Sequence, residues 1–179
     1  MIEKQGTATD GSLREKRLVF YKQHIAALDR VMDEFLRKAG ARSAYLIDKD
    51  GHLITSTGAD GDFDADTISA LVAGAFAATK EIARLLGERE FSALFHQGQR
   101  DNIQLSLVGD RAILTILFDD STTLGMVRLY VSEAVDRLVE IFDRADHDGS
   151  DQDLDREQLA PEYGDSAKKM LDNLFDDQA

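Results

Sequence analysis

The sequence predicts an α/β chain of the α+β kind, in which a five-stranded antiparallel sheet carries helices on both faces in the order α-β-β-α-β-β-β-α. Three observations lead there. The stretch Phe63 to Gly87 repeats apolar residues at helical spacing over a length that strands rarely reach. The run Ala112 to Phe118, AILTILF, is apolar at nearly every position, the pattern of a strand buried on both sides of its sheet. Tight-turn chemistry at Lys49-Asp50-Gly51 and at Gly109-Asp110 separates short apolar runs into hairpins.

In chain order, residues 1–16 are polar and without period, the composition of a disordered N-terminus. A domain is expected over 17–145. It opens with a helix whose Tyr21, Ile25, Leu28, Met32 and Phe35 share one face, flanked by Val31 and Leu36, and which stops at Gly40. Ser43 to Asp48 and Leu53 to Thr57 make the first hairpin. The long helix follows, with Asp64 or Asp66 as N-cap, suited to its free N–H groups and dipole, and Gly87 as its stop. Strands are expected at Ala93 to Gln97, at Ile103 to Val108, whose alternation suggests half-burial, and at Ala112 to Phe118 as the central strand. A helix from about Leu124 to Arg144, capped by Ser121 or Thr122, closes the domain.

Composition narrows the class. A chain of 179 residues with 43% hydrophobic content can fill one domain core with extensions. The absence of cysteine excludes disulfides and thiolate chemistry. The N-terminus lacks an apolar leader core, so a cytoplasmic protein is expected. A net charge of −13 disfavours nucleic acid and anionic membrane surfaces. From Asp143 onward there are 12 acidic and 4 basic residues, a net of −8, leaving 22 acidic and 17 basic before it. The acidity is therefore concentrated in a linker over 146–162, ahead of a C-terminal motif over 163–179.

Two stretches offer binding surface. In the long helix, Ile68, Leu71, Val72, Ala75, Phe76, Thr79, Ile82 and Leu86 form an apolar stripe, expected to face the sheet. Beside it Ala70, Ala73, Gly74, Ala77 and Ala78 leave a face where another backbone can approach closely. Alanine is also the best helix former, so the small face could equally meet solvent or the protein's own sheet. Gly74, which costs about 1 kcal/mol inside a helix, favours a packing reason and hence a partner. In the C-terminal motif, Met170, Leu171, Leu174 and Phe175 share one helical face. A free helix of that length is marginal in water, so the alternatives are ordering on a partner, docking on the parent domain, or a disordered end.

Independent chemistry finds little support. His24, His52, His96 and His147 are scattered without metal spacing. No phosphate loop of the GxxxxGK[ST] type occurs. The segment from Asp143 to Asp155 fails as a calcium loop, because with Gly149 at the sixth position the first ligand would be Arg144 and the apolar position Asp151. No catalytic residue, metal ligand or cofactor site is expected.

The element order, together with LIDKDGHLITSTG (46–58), LVAGAFAAT (71–79) and VGDRAILTILFDDSTTLGMVRL (108–129), resembles the Roadblock family of dynein-light-chain-related proteins over roughly residues 18–145. GEREFSALFHQGQRDNIQLSLVG (87–109), FDDSTTLGMVRL (118–129) and the LDNLF (171–175) of the tail are similar to the branch that regulates a Ras-like small GTPase in bacterial cell polarity and gliding motility. The resemblance implies a homodimer that pairs the long helices and the strands after them, with the GTPase bound across the paired helices. Ala73, Gly74, Ala77, Ala78 and Glu81, with Met170, Leu171, Leu174 and Phe175 of the tail, are then the partner-binding residues. Lys80 and Glu81 depart from relatives by placing charge on a face that is smaller elsewhere. Arg84, Arg89, Arg100, Arg111 and Arg128 could each act as an arginine finger in trans, and nothing in the sequence selects one. The resemblance instead implies that the GTPase's own switch residues are pushed into place, in the cytoplasm and at a cell pole. The alternative from another class is a scaffold that binds a partner and changes no rate.

Overall fold

A computed structural model of the chain describes residues 22–59 and 64–148. The expected N-terminal segment 1–16, the C-terminal motif 163–179 and the linker beyond 148 lie outside the described residues. The sheet and its helices form one compact unit, Tyr21–Asp143; residues 144–148, described only as a helical continuation, belong to another.

The elements are α1 (Lys22–Ala39), β1 (Ser43–Asp48), β2 (Leu53–Gly58), α2 (Ala65–Leu85), β3 (Ala93–Gln97), β4 (Asn102–Val108) and β5 (Ala112–Phe118), followed by α3 (residues 124–148). Residues 146–148, expected to open the linker, are still helical. All strand pairs are antiparallel, in the order β2-β1-β5-β4-β3, so β5 is the middle strand. Each of its seven residues is buried, as its unbroken apolar run requires.

Register sorts the side chains into two layers. Tyr45 and Ile47 of β1 stand opposite Thr115 and Ile113, and Ile103, Leu105 and Leu107 of β4 opposite Leu117, Thr115 and Ile113. This face meets α2, with Phe76 packed on Leu105 and Ile113, and Val72 packed against both that cluster and the one around Tyr45. The other face carries Ala44, Leu46, Leu114, Ile116 and Phe118 toward α1 and α3, where Leu28, Met32, Phe35, Leu138 and Phe142 are buried. Burying each of those large side chains contributes about 1.5–3 kcal/mol. The expected half-burial of β4 is corrected here: Gln104 and Ser106 lie on the side covered by helices and are 1% and 6% exposed. Gln104 Nε2 donates to Leu105 O at 3.0 Å, while its Oε1 finds no partner among the described residues.

Two local devices fix the hairpin layer. Gly51 ends the turn at φ +92, and a Cβ there would stand 3.0 Å from the Ala70 Cα, so the hairpin tip lies directly on α2. Gly58 has φ +99, and a Cβ would fall 2.3 Å from Arg42 O, a separation no side chain tolerates. On the far side β2 is tied to α1 by Thr55 Oγ1, which donates to Asp29 at 2.6 Å, and by Thr57, which donates to Asp33. The α3 cap also differs from expectation: Met126 N donates to Thr123 Oγ1 at 3.2 Å. Thr122 is drawn away by its bond to Ala39 O at 2.6 Å, and Ser121 N turns back on Asp119 Oδ1 at 2.9 Å.

Between α1 and α3, Glu34 accepts from Arg137 Nη1 at 2.7 Å and pairs with Lys38 Nζ at 2.9 Å, and Lys38 also reaches Glu133 at 2.9 Å. The bonds from Lys38 and then Arg137 hold the Glu34 carboxyl down at about 2, from an ordinary 4.5. A depressed carboxylate adds stability above its unfolded value and loses it as pH falls through the folded one. Glu34→Gln is expected to lower the melting temperature at neutral pH. Its deficit against the parent should shrink between about pH 4.5 and 2 and vanish below, as thermal melts across that range would record.

Candidate functional site

The helix α2 is positioned from both ends. Asp64, with extended φ −71 and ψ 117, accepts from Thr67 N at 3.0 Å and from Thr67 Oγ1 at 2.5 Å, and the Thr67 side chain holds its carboxyl below the usual range. Of the two expected caps, Asp64 is the one used. At the other end Gly87, φ +79, turns the chain out of the helix.

The face turned to the sheet is Ser69, Ala73, Phe76 and Ala83, all buried, with Val72 half-buried beside them. The expected division of faces is therefore corrected. Leu71, Ile82 and Leu86, placed by the sequence in the sheet-facing stripe, are 67%, 51% and 68% exposed. Ala73, expected on the partner face, is 8% exposed and lies at the hairpin tip, its Cβ 3.4 Å from where a Gly51 Cβ would be. Gly51 holds the hairpin tip against Ala70 and Ala73, so a small side chain is needed where the tip meets α2, while Val72 and Phe76 fill the space over the sheet beside it.

The outer face of α2 is accordingly Leu71, Gly74, Ala78, Ile82 and Leu85, all exposed, with Ala75 half-buried among them. Ala77 and Glu81 stand on one flank, Glu81 paired with Arg84 at 2.9 Å. Below that flank an open cavity of about 190 Å³ runs between α2 and the ends of β4 and β5. Phe76, Phe91, Leu107 and Ile113 line its floor, and Lys49, Lys80 and Glu90 stand at its rim. The tail residues Met170, Leu171, Leu174 and Phe175 lie outside the described residues.

A second, polar cleft of about 760 Å³ opens between the β3–β4 turn and the end of β5, where Arg42 pairs with Asp101 beside Arg100, Asp119 and Asp120. One cluster was missed from sequence. Asp48, Asp50 and His52 gather at the β1–β2 tip, with ligand atoms within 4.8 Å of one another and His52 Nδ1 3.1 Å from Asp48 Oδ2. The alternate spacing of two aspartates and a histidine across the turn was its legible signal. Of the five candidate arginines, Arg84 is engaged by Glu81, Arg111 stands 3.6 Å from Asp110, and Arg89, Arg100 and Arg128 are exposed.

A family model described as the Roadblock/LC7 domain matches residues 27–118. The chain belongs to the Roadblock/LC7 family. Among solved structures, MglB of Myxococcus xanthus is 38% identical, covering 72% of this chain and 96% of that one, with a TM-score of 0.67. The gliding protein MglB of Thermus thermophilus is 36% identical, covering 73% and 98%, with a TM-score of 0.68. A structure of MglB in a tetrameric arrangement is also 36% identical over 73% and 98%, with a TM-score of 0.69. The resemblance read from the sequence is thus confirmed at the level of family and fold. No helix among the described residues of this Roadblock domain is long and apolar enough to cross a membrane.

Gly74 bears on stability within the Roadblock domain itself. A Cβ there would have nothing within 4 Å, so Gly74→Ala is expected to stabilise the isolated protein by about 0.5–1 kcal/mol through helix propensity. Denaturant unfolding of the two proteins side by side measures it.

Proposed function

We propose that the protein is a homodimeric regulator, without a catalytic residue of its own, that activates an MglA-like Ras-type small GTPase in bacterial cell polarity and gliding motility, working in the cytoplasm and at a cell pole. The supporting observation is the outer face of α2. Leu71, Ile82 and Leu85 expose apolar surface that a stable monomer has no reason to leave bare, and Gly74 and Ala78 among them leave room for a second backbone. Similarity to two MglB structures at 36–38% identity over nearly their whole length supports the same reading. In this proposal the α2 helices of two copies pair, the β3 edges meet beside them, and the GTPase sits across the pair at Gly74, Ala77, Ala78 and Glu81. Ala73 serves the fold and contributes only by letting α2 lie low on its sheet. Activation comes from binding the GTPase more tightly when its own switch residues are arranged for hydrolysis. The tail residues Met170, Leu171, Leu174 and Phe175 add a second, tethered contact on the GTPase.

The decisive measurement is GTP turnover by the MglA-like GTPase of the same organism with and without this protein, where acceleration is expected. Ala77→Arg, on the exposed flank of the paired face, should abolish that acceleration while changing stability by no more than about 0.5 kcal/mol. Sedimentation should give a dimer at micromolar concentration; a monomer there would remove the paired-helix site.

Truncation after Ala160 addresses the tail separately. It should weaken complex formation about tenfold, since ordering costs consume most of what two buried apolar side chains contribute. The dimer and the melting temperature should not change. An unaltered dissociation constant would exclude the tail from the contact.

A further inference from the structure

The cavity beside α2 is continuous with the proposed GTPase face, because Ala77 stands on the flank of that face and also lines the cavity wall. We infer that this cavity is the anchor point of the complex, taking one large apolar side chain of the GTPase that has a carboxylate beside it. The inference rests on the reading of the previous section and adds the chemistry of the contact.

Size sets the first part. A dry apolar cavity of about 150 Å³ accommodates a benzene ring, and this one holds about 190 Å³ over Phe76, Phe91, Leu107 and Ile113. The cavity is open to solvent at its rim, and its floor is half-buried at Phe91 and Leu107. Buried apolar anchors in such pockets dominate protein interfaces, and the surrounding contacts mainly exclude water.

Charge sets the second part. The chain carries a net −13, yet two lysines, Lys49 from the hairpin tip and Lys80 from α2, stand at this rim. Among the described residues neither has an ion pair, whereas Lys38, Arg42, Arg84 and Arg137 each hold a carboxylate. Glu90, at the same rim, leaves the pair in excess by one positive charge. An acidic group entering with the apolar anchor would meet Lys49 and Lys80 as the surface desolvates, where such complementarity sets specificity and association rate. The same two lysines account for the departure at position 80 seen in the sequence, because a charge that interrupts a small-residue face has a use at the mouth of a cavity.

The absence of native cysteine makes a direct test possible in the full chain. Thr79→Cys places a single thiol on the cavity wall, and Glu81→Cys places one on the exposed flank of the proposed GTPase face. With saturating GTPase loaded with a non-hydrolysable GTP analogue, both thiols should lose at least tenfold in maleimide labelling rate. Protection at Glu81→Cys without protection at Thr79→Cys overturns the anchor and leaves the proposed function standing. Protection at neither, with the GTPase bound, overturns both. Labelling of Thr79→Cys that falls with protein concentration before any GTPase is added assigns the cavity to a second copy of this chain, and also overturns the anchor. Lys49→Glu and Lys80→Glu, each on an exposed side chain, should weaken GTPase binding about tenfold and flatten its salt dependence; unchanged affinity in both removes the carboxylate.

Discussion

Seven consecutive buried residues in β5 govern this molecule. A strand apolar on both sides cannot border water on either, so the sheet must carry a layer of helices above and below. With α1 and α3 side by side on one face, the other falls to α2 alone. A single helix covers the middle of a five-stranded sheet and leaves the margin open. That margin is where β3 lies half-exposed, and where the cavity over Phe91 and Leu107 opens. The cavity proposed to anchor the partner is thus a consequence of putting two helices on one side and one on the other.

The approach of the hairpin tip to α2 is the second constraint. Gly51 brings the tip against Ala70 and Ala73, and only small residues fit between. With Val72, Ala73 and Phe76 turned to the sheet, Leu71, Ile82 and Leu85 fall on the opposite side of the helix, which faces solvent. Large apolar side chains exposed in this way make the isolated surface unfavourable and its coverage favourable, by about 25 cal/mol for each Å² removed from water. Gly74 sits among them with open space above it, so the same turn of helix offers both apolar area and close approach.

Electrostatics serve different ends on the two sides of the sheet. Between α1 and α3 the charges are satisfied within the protein, Glu34 by Lys38 and Arg137 and Lys38 in turn by Glu133, and they hold two helices in register. On the α2 side Lys49 and Lys80 are left facing outward at a cavity. In a protein with this much negative charge, a rim where two lysines without ion pairs among the described residues outnumber the one carboxylate, Glu90, stands apart from the rest of the surface.

Sequence alone determined the order of the elements and the bounds of all but α3 to within a residue or two; α3 runs four residues past its expected end. The reason is that periodicity, the turn glycines Gly51 and Gly109, and the run from Ala112 to Phe118 are local signals that no other part of the chain can override. It also led to the family, through segments such as LIDKDGHLITSTG that carry the hairpin and its turn. It placed Val72 and Phe76 on the sheet side of α2 but misjudged the edges of that stripe, assigning Leu71, Ile82 and Leu86 inward and Ala73 outward, because several helical stripes of comparable hydrophobicity exist on a helix rich in alanine. It likewise read β4 as half-buried, where Gln104 and Ser106 are in fact covered, since alternation along a strand cannot report a helix layer contributed by other parts of the chain. The cavity and the pairing of Lys49 with Lys80 at its rim belong wholly to tertiary structure. Their residues come from a hairpin, a helix, a loop and two strands, and a sequence places them together only after the chain has folded.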